Sequence, residues 1–252
     1  MAPTPHNVSY ISYAPNHVRV FRNGAYEQVG GYDATRTVLD DQDLMCRLFQ
    51  VGDFHLIPRC LYLQRQHPHN TQRDTEVNAH IQRETVALYD KYVEANALAW
   101  TKRRGLLALD LGAAHRKPPG YLGVDQRPRD GVDIVATLPG PLDFPDDSVG
   151  LLRAVDFLEH VPAKIPLINE LYRLLAPGGM LLSRTPSSTA GAPTRTRRTS
   201  PITTRTRSGN TPTTSTAPSY RKSGPASSVH GWSPTSRPTG TPGTTSLTCR
   251  PI

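Results

Sequence analysis

Cysteine is scarce in this chain: Cys46, Cys60 and Cys249 are the only three among 252 residues. At those distances they fit no zinc-ligand spacing and no disulfide framework. That excludes metal-folded and disulfide-stapled small domains and points to a reducing, cytoplasmic setting. Long apolar runs are lacking too. No stretch approaches the roughly 20 residues that cross a bilayer, and the opening "MAPTPHNVSYISYAPN" has neither the basic nor the apolar region of a secretory signal. Acidic residues are missing from one whole segment: residues 187–252 hold nine Lys and Arg and no Asp or Glu, against twenty and twenty-one in residues 1–186. The formal charge of +8 therefore belongs to the tail. The body is nearly neutral, so a basic groove for specific nucleic-acid recognition is not expected on it.

What is present divides the chain into four stretches. Residues 1–73 are aromatic and punctuated by glycine. The short apolar runs "HVRVF" and "FHLIP" read as strands around "LDDQDLMCRLF", which reads as a helix. Residues 74–103 read as a connecting helix. Val77, Ile81, Leu88 and Tyr92, with Thr85 between, recur at spacings of three and four and place one stripe on a neighbour. Residues 104–186 alternate strand and helix: "GLLALDLG", "YLGVD", "VDIVATL" and "VGLLRAVD" are four strands. "KIPLINELYRLLAPGG" is a helix closed by Pro177 and Gly178, and "MLLSRTP" is a fifth strand. Near-continuous apolar strands between helical segments predict an α/β fold with a parallel sheet covered on both faces. Residues 187–252 are rich in Thr, Arg, Pro and Ser, the composition of a disordered linker or basic arm.

Open parallel sheets bind ligands beyond the carboxyl ends of their strands. Gly112 follows the first strand, where a position without a side chain lets backbone approach a ligand. Asp125 ends the second, placed to accept hydrogen bonds from ribose hydroxyls. Dinucleotide-binding folds share both features, and "LDLGAAH" lacks their full glycine fingerprint. The longer pattern is more specific. "LDLGAAHRKPPGYLGVD", "VDIVATLPGPLDFPDDSVGLLRAVDFLEHVP" and "LINELYRLLAPGGMLLSRTP", in that order, resemble the class I S-adenosylmethionine-dependent methyltransferases, whose sheet is Rossmann-like.

That resemblance implies S-adenosylmethionine as cofactor. Asp110, Gly112 and Ala114 would hold its methionine part, Asp125 its ribose, and Thr137 and Leu138 would lie by its adenine. Ala113 and Ala114 depart from the family's usual "CG" or "GG", and Thr137 stands where an acid is usual. Methyl transfer from a sulfonium depends on positioning more than on side-chain chemistry. Where an acceptor hydroxyl must lose its proton, His160 is the candidate base. Glu159 and His160 read equally as a surface pair at a helix start.

In the first stretch, "HVRVFRNGAYEQVGGYDATRTVLDDQDLMCRLFQVGDFHLIPRCLYLQRQHPHNTQ" resembles the C-terminal part of inverting family 2 glycosyltransferases with a GT-A fold. The resemblance implies Asp41 as general base, with Asp40 beside it, and His67 as a ligand for manganese or magnesium. Asp40, Asp41 and Asp43 also read as acids gathered at a helix N-terminus, which the helix dipole favours. The nucleotide-binding half of such an enzyme has no counterpart before residue 16.

The tail carries a further pattern. Shifted by one nucleotide, codons for "PTRTRRTSPITTRTRSG" encode a segment resembling the "DPTHVS…SFW" that follows strand five in the same methyltransferases. An out-of-frame tail without selected structure is expected, leaving strand five as an unprotected edge; a true basic arm is the alternative. The whole reads as an incomplete Rossmann-like methyltransferase sheet of about five parallel strands after a partial GT-A region. It would serve a small-molecule or glycan substrate in surface-polysaccharide biosynthesis, and the truncation predicts poor solubility, weak or no cofactor binding and impaired activity. The rival readings are a glycosyltransferase, and a non-catalytic protein whose tail holds nucleic acid.

Overall fold

Helices dominate the first hundred residues. The computed structural model describes residues 3–10, 19–55, 57, 63–66, 75–114, 117–186, 198–204 and 246–249. Helix α1 spans Pro5–Ser9 and begins in a capping box: the Thr4 side chain accepts from the Asn7 amide while the Asn7 side chain accepts from the Thr4 amide. Pro5 at the first helical position loses nothing by lacking an N–H. Helix α2 spans Asn23–Gln28. Helix α3 spans Asp40–Val51, with Asp40, Asp41 and Asp43 in its first turn. Helix α4 runs over Thr75–Arg103.

Two buried stripes run along α4, not one. Leu88 and Tyr92, with Ile81, pack on Leu39 and Cys46 of the α3 region. Thr85 between them is buried and returns its hydroxyl to the Ile81 carbonyl at 2.7 Å. The second stripe, Tyr89, Val93 and Ala97, faces the sheet. Helix α1 closes the remaining gap, with Val8 against Phe49 and Trp100. Asn96 donates to the Ser9 hydroxyl at 2.9 Å. The interface is dry enough to push the Cys46 thiol up to about 12 by burial.

The strands expected from "HVRVF" and "FHLIP" do not form among the described residues: Arg19 to Phe21, Phe54, His55 and Ile57 belong to no strand. A strand requires a partner for its backbone groups, and among the described residues the contacts here are to α3, Arg19 with Asp41 and Phe54 with Phe49. A strand, β1, does form at Leu63–Gln66.

The main sheet is built from β2 (Leu107–Leu111), β3 (Leu122–Asp125), β4 (Ile134–Val135), β5 (Val149–Val155) and β6 (Leu175–Thr185). These five pair in parallel in the order β4-β3-β2-β5-β6. Helix α5, Lys164–Leu174, precedes β6. It ends at Leu174, so Pro177 and Gly178 do not close it. They lie in a bulge where Val149 pairs with Leu175 but Leu151 pairs with Met180.

Strand periodicity decides which side chains meet which helix. Leu109, Leu111, Leu152, Ala154 and Leu181 face α5 through its Leu167, Leu171 and Leu174. Ala108, Leu151, Met180 and Leu182 face α4. Helix α4 runs opposite to the strands. Its Trp100 ring lies on Gly178 near the start of β6, while its Asp90 feels the charge of Arg184 near the end. Residues 75–88 therefore reach past the carboxyl ends of the strands, about 21 Å of helix at 1.5 Å per residue.

The expectation of an unprotected fifth strand is corrected. Arg198–Thr204 forms β7, antiparallel to β6 over Met180–Thr185. Ser246–Cys249 forms β8, antiparallel to β1. These tail segments are strands because each finds an edge whose backbone groups need partners. The rest of residues 187–252 lies outside the described residues.

Candidate cofactor cleft

The chain leaves β2 toward β3 on one side and returns to β5 on the other. Such a reversal opens a crevice at the carboxyl ends of the strands. Three backbone features border it. Gly112, after β2, has φ +69°; Ala114 has φ +47°; Asp156, after β5, has φ +51°. Left-handed residues other than glycine cost about 1–3 kcal/mol each and gather at functional sites.

Hydrogen bonds tie the first turn to the end of β3. The Gly112 and Ala113 amides donate to the Val124 carbonyl at 2.8 and 3.3 Å. The Ala114 amide donates to Asp125 Oδ2 at 3.3 Å, and Arg127 donates its amide to Asp125 Oδ1 at 3.0 Å. Gly112, Ala114 and Asp125 are thus brought together. All three amides of the turn are used inside the fold, so what it can still offer a ligand is acceptor oxygen. Opposite it stands Phe157: a Cβ added at Gly112 would lie 2.7 Å from the Phe157 Cδ2.

Asp110 is placed differently. Its buried carboxylate accepts from Arg153 Nη1 at 2.8 Å, and Arg153 also donates through Nε to Glu94 of α4 at 3.1 Å. Asp110 therefore points to the α4 face of the sheet and not to the turn. Burial pushes its carboxyl above the usual range, against the pull of Arg153.

Thr137 is exposed beyond β4, where its carbonyl accepts from the Gly140 amide at 2.9 Å. Leu138 packs on the core below. This turn is linked to Asp125 through the Ala136 amide, which donates to the Asp125 carbonyl at 2.9 Å. Glu159 and His160 are exposed on a single 3-10 turn, Leu158–His160, next to Phe157.

The acids of the first stretch are elsewhere. Asp41, on α3, is separated from the sheet by α4; it accepts from Arg19 at 2.6 Å and from the Gln42 amide at 2.8 Å. Asp43 is buried, accepting from Tyr92 at 2.6 Å and Arg47 at 2.8 Å. Asp40 is exposed. His67 lies outside the described residues. Among the described residues no three His, Cys, Asp or Glu side chains gather as a metal would need, and no helix is long and apolar enough to cross a membrane.

Residues 98–183 match a family model described as "Methyltransferase domain". This stretch is a methyltransferase domain. It starts in the last turns of α4, reaches to within two residues of the end of β6, and has the parallel sheet of the class I, S-adenosylmethionine-using type. The chain matches none of the curated proteins. Sequence reasoning missed three residues of the domain's surroundings. Phe157 is inside the "DFLEHV" segment but nothing in its spacing aims it at Gly112. Arg153 gave a signal, a lone charge within the apolar run "VGLLRAV". Glu94, its partner, precedes the matched stretch.

Proposed function

We propose that this chain transfers the methyl group of S-adenosylmethionine to a hydroxyl of a small-molecule or glycan acceptor. The observation that supports it most is the junction of the Gly112 turn with Asp125 through the Ala114 amide, at the reversal point of the sheet. The residues fit the cofactor. Each Asp125 oxygen accepts one backbone N–H, and a carboxylate oxygen has a second lone pair, so both remain able to accept from a ribose diol. The Gly112 turn has spent its donors, which matches the cationic amino end of a methionine and not its carboxylate.

The bound sulfonium supplies an activated methyl group, so the chain's own task is to position it. Asp125 would hold the ribose, the Gly112 turn the amino-acid end, and Leu138 and Thr137 would lie by the adenine. Phe157 would form the wall that faces Gly112. Transfer to a hydroxyl releases one proton, which His160, exposed beside Phe157, receives. Sugar transfer is not part of this proposal, because the Asp41 carboxylate is held by Arg19 and separated from the cleft by α4.

Calorimetry with S-adenosylmethionine tests the reading. The wild-type chain binds it, and Asp125→Ala weakens binding about ten- to a hundred-fold, the worth of hydrogen bonds to a charged acceptor. A wild-type chain that binds neither S-adenosylmethionine nor S-adenosylhomocysteine overturns it.

A further inference from the structure

A charged residue in the middle of a buried parallel strand needs a reason. Arg153 stands between Leu152 and Ala154, both fully buried, in β5. Across the sheet it is in register with Asp110 of β2, the strand pair on which the chain reverses. One arm of its guanidinium reaches Asp110 at 2.8 Å and another reaches Glu94 at 3.1 Å. Tyr121 donates to the same Glu94 oxygen at 3.0 Å.

The position of this group matters. Asp110 precedes Gly112 by two residues, and Arg153 precedes Asp156 by three. The pair therefore lies directly under the two left-handed turns that border the cleft. It ties the side chains of β2 and β5 together on the α4 side of the sheet, beneath those turns. Its charges do not cancel: two carboxylates share one guanidinium, leaving a net single negative charge. Glu94 supplies that excess from α4, ahead of the stretch that matches the methyltransferase model.

The geometry points to Arg153 as a positioning residue for the methyl donor: with Asp110 and Glu94 it braces the Gly112 and Asp156 turns from below and favours the positively charged sulfonium over its uncharged product. The inference rests on the methyl-transfer reading and adds a way for the site to prefer substrate. The donor carries one positive charge more than S-adenosylhomocysteine, at the sulfur. A negative charge below the cleft acts on that difference and not on the shared adenosine. Glu94 is partly exposed, so water screens it. The preference it confers is modest, about three-fold, the size of a screened interaction at a partly exposed charge.

The experiment measures dissociation constants for S-adenosylmethionine and S-adenosylhomocysteine by calorimetry on four full-length proteins, each checked by thermal unfolding. These are wild type, Glu94→Gln, Arg153→Met and Arg153→Lys. Glu94→Gln retains the fold and loses about three-fold of the donor-over-product preference. Arg153→Met weakens both ligands about ten-fold or more. Arg153→Lys recovers part of the loss, since an ammonium restores the charge without the two-armed fork. Wild type binding both ligands while Glu94→Gln keeps the same affinity ratio overturns this inference alone, as does a folded Arg153→Met that binds normally. If Arg153→Met does not fold, the Glu94→Gln ratio decides. Wild type binding neither ligand overturns the methyl-transfer reading and this inference with it.

Discussion

Adding one methyl group at Gly112 perturbs backbone and packing at once. The residue has φ +69°, where a side chain other than glycine's costs about 1–2 kcal/mol. The new Cβ also lies 2.7 Å from the Phe157 Cδ2 and 3.2 Å from its Cγ, so the ring must move. Overpacking of this kind costs typically 1–3 kcal/mol. The two contributions together make Gly112→Ala less stable by about 2–5 kcal/mol. For a chain of this size each kcal/mol lowers the melting temperature by roughly 2–4 °C, so the drop is about 4–20 °C by circular dichroism. Ala114 tolerates φ +47° two residues on, which is why loss of stability and not failure to fold is expected. Phe157→Ala separates the causes: in the double variant the clash is gone and the backbone strain stays. The cycle should give a coupling of about 1–3 kcal/mol between the two sites. A Gly112→Ala melting temperature within about 2 °C of wild type, or strictly additive variants, refutes the argument that Phe157 fills the space before the turn.

Two further outcomes test the rest of the fold. Burial alone would raise the Asp43 carboxyl, but its bonds from Tyr92 and Arg47 outweigh that and hold it below the usual range. Its contribution is therefore present above the unfolded value near 4 and lost as pH falls through the lower folded value. Asp43→Asn costs about 3–5 kcal/mol at pH 7, because Arg47 loses its carboxylate partner at 2.7 Å and Arg36 loses the nearest of its three, at 3.3 Å. In urea titrations it should lose less than wild type between pH 4 and pH 2; an equal loss refutes the assignment. Truncation after Pro186 removes β7 and leaves the Met180–Thr185 edge of β6 unpaired. Such an edge self-associates, so light scattering should show oligomers; a monomer with unchanged melting temperature contradicts the pairing.

The parallel sheet was legible because its strands are buried on both faces and read as unbroken apolar runs. "GLLALDLG" and "VGLLRAVD" hold β2 and β5 within them. Gly112 and Asp125 were legible for a related reason: each ends a strand, and strand ends are where such sheets place ligands. In the first stretch the helix over "LDDQDLMCRLF" was legible, but the two strands were misread because short apolar runs such as "HVRVF" do not say whether a neighbouring strand exists. There the neighbours are α3 and α4. The direction in which Asp110 points was invisible as well. Alternation along β2 puts it opposite Leu109 and Leu111, but only the position of Arg153 and Glu94 shows which side carries the charge. β7 escaped notice because Thr and Arg codify no burial pattern, and the edge of β6 is what makes a strand of them.

Helix α4 explains why the first stretch and the methyltransferase domain are one body. A helix that served only as a connector would bury a single stripe. This one buries Leu88 and Tyr92 toward α3, and Tyr89, Val93 and Ala97 toward the sheet. Separating the two sides would expose apolar surface on both, besides depriving Asp43 of Tyr92 and Arg153 of Glu94. The two polar groups lie on the same helix, and Lys91, which faces Asp43 at 3.6 Å, is three residues from Glu94. A rotation of α4 that relaxed one would strain the other. The first stretch therefore fixes how α4 is seated, and Glu94 of that helix bonds Arg153 in the strand that leads to the Asp156 turn.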